Sequence, residues 1–84
     1  MNVFFITFRS VTVAQRGEEV MRRAGIGCTL QRTPRWMQER GCGYCLRLRE
    51  QDVRDAANQL RVNQIPISKI YRQKEGGKVE EAAL

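Results

Sequence analysis

The chain has 84 residues, three cysteines, no histidine and a formal net charge of +6 at pH 7, which describes one small domain with a thin core. The missing histidine removes Cys-His nucleophile pairs, the usual general base and most zinc sites, so neither metal nor cofactor is expected. No apolar run approaches the ~20 residues that cross a bilayer, and an odd number of thiols without an export signal makes the cytoplasm the default location.

Val3 to Phe8 is a continuous apolar run rich in aromatic and β-branched residues, as a central strand requires. Ser10 then offers a helix N-cap hydroxyl. Val13, Ala14, Gly17, Val20, Met21 and Ala24 follow at helical spacing, and Gly25 and Ile26 suit a left-handed Schellman-type stop. A second strand, about Gly27 to Arg32, puts Cys28 and Leu30 on one side and Thr29 and Gln31 on the other. Thr33 to Gly41 is a long loop holding Pro34, Arg35, Trp36 and Arg40, and loops of this length often carry function.

The third strand runs from about Gly43 to Arg49. A second helix from about Gln51 to Val62 has Val53, Ala56, Ala57 and Leu60 as its buried stripe, with Asn63 as its expected left-handed terminator. Pro66 precedes a last strand, Ser68 to Arg72, which suits an edge. Residues 74–84 read as a mobile C-terminal tail beyond a single domain at 1–73.

The order βαββαβ predicts an α+β, ferredoxin-like domain: a four-stranded antiparallel sheet with two helices on one face. In that topology the Thr33 to Gly41 loop and Cys42 lie at the end of the sheet where the first helix begins. The amides of Val11 to Val13 and the charges of Arg9 and Arg35 fall at that same end.

Cys42 is flanked by Gly41 and Gly43, which remove side-chain cover and let a partner approach the sulfur. A thiol beside a helix N-terminus and cations ionises below its free value of ~8.5. The same groups would favour a persulfide or perselenide anion. The plainer reading makes Cys42 a small half-buried strand residue. Cys42-Gly43-Tyr44-Cys45 spells C-x-x-C, and Cys45 is a candidate second thiol. In an extended strand, however, three steps of ~3.3 Å put the two Cα atoms about 10 Å apart, and a disulfide needs ~7 Å or less. Cys28 reads as inert core, and Trp36 as a lid over the domain or a partner contact.

Arg40-Gly41-Cys42-Gly43-Tyr44 partly matches an RNA-recognition signature on the third strand of this same fold. Burying Tyr44, Leu46 and Leu48 against the helices sends Cys45, Arg47 and Arg49 to the open face. The opposite register would bury two arginines at several kcal/mol per charge. The favoured register leaves no aromatic on this strand to stack on a base, so RNA is an alternative partner and not the favoured one.

Phe5-Ile6-Thr7-Phe8-Arg9-Ser10, Ala24-Gly25-Ile26, Thr33-Pro34-Arg35 and Cys42-Gly43 before Leu46-Arg47-Leu48 together resemble the putative selenium/sulfur carrier-like family of small bacterial domains. The resemblance covers roughly residues 3–72. It implies a stand-alone carrier that takes a chalcogen atom onto Cys42 from a donor protein and passes it to an acceptor, a transfer partner more than an enzyme. Pro34 and Arg35 match the family's loop motif and Gly43 its Cys-Gly step, with Arg9 and Ser10 in support. The segment Trp36 to Gly41 departs from it in being bulkier and more charged, and Cys45 stands where a small residue is usual.

Overall fold

Val3–Thr7 forms strand β1 at the centre of the sheet, flanked on both sides, in a computed structural model that describes residues 2–35 and 43–84. Helix α1 (Val11–Ala24) follows, then β2 (Thr29–Arg32), β3 (Tyr44–Arg49), α2 (Glu50–Val62), β4 (Lys69–Gln73) and β5 (Val79–Glu81). The strand order is β2-β3-β1-β4-β5, and every neighbouring pair is antiparallel. This is an α+β architecture of two helices and a five-stranded antiparallel sheet.

The sheet therefore has five strands and not the expected four. The fifth lies inside the segment read as a tail, so β4 is an interior strand and Pro66 does not mark an edge. The cause is a hairpin. Gly76 and Gly77 adopt φ of 91° and 89°, which L side chains avoid, and Lys74 N–H donates to the Lys78 carbonyl at 2.8 Å. Arg72 and Glu80 face each other across the two strands and form an ion pair, while Lys69 reaches Glu81 at 3.6 Å. Hydrogen bonds from Arg72 and then Lys74 hold the Glu80 carboxyl below its ordinary pKa.

Alternation along β3 runs as the burial argument requires. Leu46 and Leu48 join Phe4, Ile6 and Ile70 beneath the helices, where Val13, Ala14, Met21, Val53, Ala56 and Leu60 complete the core. Tyr44 packs at its margin. The helical stripes are buried at the expected positions, except that Val20 is partly buried and Ala24 is exposed at the end of α1.

Both helices stop by the same device. In α1, Gly25 takes φ 73°, its N–H donates to Arg22 O, and Ile26 N–H donates to Met21 O at 2.9 Å. In α2 the left-handed residue is Gln64 (φ 59°), one step beyond Asn63, which sits at φ −90°. Gln64 N–H donates to Arg61 O and Ile65 N–H to Leu60 O at 2.8 Å, so Ile65 folds into the core as Ile26 does. Asn63 is thus a cap residue whose side-chain amide donates to Gln59 O at 2.8 Å.

A glutamine in the left-handed region costs about 1–2 kcal/mol that a glycine does not. Gln64→Gly is expected to stabilise the domain by about 0.5–1 kcal/mol after the glycine's greater unfolded-state entropy is deducted. An unchanged or lower urea midpoint would contradict this.

Candidate functional site

The rim at which α1 begins is assembled from four chain segments. β1 leads into it through Phe8 and Arg9. The side chain of Ser10, in extended conformation, accepts the Val13 N–H at 3.2 Å and starts the helix. α1 has no acidic residue in its first turn, so nothing on the helix itself offsets the positive end of its dipole.

β2 and β3 meet the same end of the sheet. The ladder pairs Thr7 with Cys45, Cys45 with Gln31 and Tyr44 with Arg32. It continues one step further, where Thr33 N–H donates to the Gly43 carbonyl at 2.7 Å. Pro34 is half-buried and Arg35 exposed beyond it. The guanidinium carbon of Arg32 lies 5.8 Å from the centre of the Tyr44 ring, within cation–π range. The fourth segment follows α2: Ser68 N–H donates to Thr7 O at 2.9 Å, and Lys69 pairs with Thr7.

Of the residues singled out from the sequence, Arg9, Ser10, Pro34, Arg35 and Gly43 come to this one end. Cys42 itself, with Trp36, Arg40 and Gly41, lies outside the described residues.

The other two thiols are placed differently. Cys45 occupies the predicted face, away from the helices, yet it is 0% exposed and packs with Phe5 and Tyr71 in a second small cluster. That face was expected to be open at this position. Instead Phe5 of β1 and Tyr71 of β4, partners in the sheet register, close this side, with Val3 and Val79 packed against the cluster. Cys28 precedes β2, makes no disulfide and packs half-buried against the main core. Burial first, and then the Glu18 carboxylate, push its thiol above the ordinary value, only partly offset by Arg22. A raised pKa lowers the share of reactive thiolate at neutral pH.

Alternation along β3 alone gives an outward row of Cys45, Arg47 and Arg49, and so misses the second cluster. The same alternation applied to β1 and β4 adds Phe5 and Tyr71 to that face. These two rings bear directly on the nucleic-acid alternative, since they are 4% and 9% exposed. Rings so enclosed present no face on which a base could stack. The charges on this side of the sheet include Arg47, Arg49 and Lys69, of which Arg49 is bound to Asp52 at 3.2 Å and Lys69 to Glu81 at 3.6 Å.

A family model described as Putative Se/S carrier protein-like matches residues 4–72, a span that includes every rim segment and the Cys42-Gly43 step. No curated protein and no solved structure matches the chain at a comparable standard. No helix among the described residues is long and apolar enough to cross a membrane.

Proposed function

The chain belongs to the Putative Se/S carrier protein-like family, and from that premise we propose that it is a sulfur or selenium carrier using Cys42 as the carrying thiol. The observation that carries this reading is the family match over a span containing Cys42-Gly43, in an α+β domain of two helices and a five-stranded antiparallel sheet. Its support in the geometry is the position of Gly43, the next residue in the chain. Gly43 is tied to Thr33 at the end of the sheet where α1 begins without acidic residues and where Arg9 and Arg35 are exposed.

The transfer is an exchange between sulfurs with no net redox change. The Cys42 thiolate attacks the outer sulfur of a donor persulfide, a new S–S bond forms on Cys42, and the donor's inner sulfur leaves as a thiolate. Helix-terminal amides and arginine charge favour the anion before and after that step. Delivery to an acceptor thiolate repeats the same displacement in reverse, so Cys42 ends as it began. The protein supplies the carrying thiol and a surface for two partners; the energy of the bond comes from the donor. Cys45, enclosed beside Phe5 and Tyr71, takes part only if the sheet opens locally.

Incubation with a cysteine desulfurase and cysteine is expected to give an intact-mass adduct of one added sulfur, removed by reductant. Cys42→Ser should abolish it, while Cys28→Ser and Cys45→Ser should retain it. An adduct that survives Cys42→Ser, or none with the native protein, would overturn the assignment.

A further inference from the structure

Strand β5 is held differently from the strands it extends. β1, β3 and β4 each bury side chains in the core clusters, whereas β5 spans only Val79–Glu81 and none of its residues is buried. Its apolar attachment is Val79, at the margin of the Phe5–Tyr71 cluster, with Ala82 just beyond it at the margin of the main core. Ladder bonds and charge supply the rest. Glu80 pairs with Arg72 and Lys74, and alternation sends Glu81 to the opposite face, where Lys69 reaches it at 3.6 Å. The Glu80 and Glu81 side chains are 34% and 62% exposed, so water and salt screen these pairs.

The surroundings of β5 leave it room to part from the sheet. It is joined to β4 through Gly76 and Gly77, and a Cβ on either would meet no atom within 4 Å, so the turn stands clear of the domain. The residues after β5 do not close on the helix layer. A recess of about 330 Å³ is shared by Phe4, Val53 and Arg54 with Ala83 and Leu84. The family match ends at residue 72, so the turn and β5 lie beyond the span that the family model describes.

We propose that residues 78–84 are a detachable strap, which swings from β4 about Gly76 and Gly77 while the other strands and both helices stay folded, at a frequency set by ionic strength. The break falls between β4 and β5 because Ile70 and Tyr71 anchor β4 in the two clusters from opposite faces, and β4 is paired with β1 along its whole length. Lifting the strap gives up only marginal apolar contacts. In the lifted form β4 becomes the edge of the sheet, and the Ile70 carbonyl, which accepts the Ala82 N–H at 2.8 Å, loses that partner. The strap thus switches this edge between capped and open. The inference is independent of the carrier reading, which assigns no role to these residues.

Amide hydrogen exchange of the full chain, followed by NMR at low concentrations of urea, tests it. The Lys74 and Ala82 amides, which donate to the Lys78 and Ile70 carbonyls, should be at least about 100-fold less protected than those of Ile6 and Leu46. Their rates should stay nearly flat in urea, because the opening exposes little surface, while those of Ile6 and Leu46 climb. Raising salt to about 0.5 M should speed Lys74 and Ala82 several-fold. Glu80→Gln combined with Glu81→Gln should make both fast at low salt and abolish the salt effect.

Exchange of Lys74 and Ala82 at the rate and urea slope of Ile6 and Leu46 would mean that β5 leaves only on global unfolding, and would overturn the proposal. Fast exchange indifferent to salt and to the double variant would also overturn it, since the hold would then not be ionic. Cys42→Ser should leave the Lys74 and Ala82 rates unchanged, and the double variant should still form the persulfide adduct, so neither claim falls with the other.

Discussion

Alkylation of the native protein at neutral pH is expected to modify Cys42 on the order of tenfold or more faster than either other cysteine, because only thiolates react appreciably. Cys28 is disadvantaged by its surroundings. Its folded pKa is raised above the ordinary 9.0 by burial and by Glu18, so its thiolate is scarce at neutral pH and its labelling should keep rising with pH beyond that value. The folded protein keeps the Cys28 proton to higher pH than the unfolded chain does, so that contribution is complete below the unfolded pKa and is lost as pH rises through the folded one. Cys45 is disadvantaged by access. At 0% exposure its sulfur must wait for local opening, and its rate should track stability more than pH. Cys42→Ser should remove the fast phase entirely and Cys28→Ser should leave it intact. If Cys42 reacts no faster than Cys28, the thiolate proposed for it is absent.

The elements most readable from sequence are those where one physical demand dominates. The α2 stripe of Val53, Ala56, Ala57 and Leu60 has a single face to bury, and all four are buried. β3 had only one register that spared two arginines, and it adopts that register. The Gly25 cap was legible because a glycine that closes a helical stripe is the residue a left-handed stop selects. Gln64 was not, because its left-handed conformation is imposed by Ile65 seeking the core and not by its own preference. β5 was missed for a similar reason. Val79–Glu81 is short and acidic and gains its place from Arg72 and Lys69 across the sheet, so local propensity understates it. At the rim, the cap and the basic positions could be read residue by residue. The enclosure of Cys45 could not, since it depends on three strands that converge only in the folded sheet.

Phe8→Ala is expected to cost about 3–5 kcal/mol, a large share of the stability of so small a domain. The ring is 1% exposed and fills the space under α1 at Gly17, where a Cβ would stand 3.2 Å from Phe8 Cζ and 3.3 Å from Leu60 Cδ2. Neither neighbour can swing away, as Leu60 is fully buried too. Alanine at position 17 would gain about 1 kcal/mol of helix propensity and lose about 1–3 kcal/mol to overpacking. The expected balance for Gly17→Ala alone is a loss of about 1 kcal/mol. In a Phe8→Leu background the ring atoms nearest the new methyl are gone and the Leu60 contact remains, so Gly17→Ala should cost less than in the native protein. The coupling between the two sites, read from urea unfolding of the four proteins, should be about 1–2 kcal/mol. Equal effects of Gly17→Ala in both backgrounds would show that the helix does not ride on this ring.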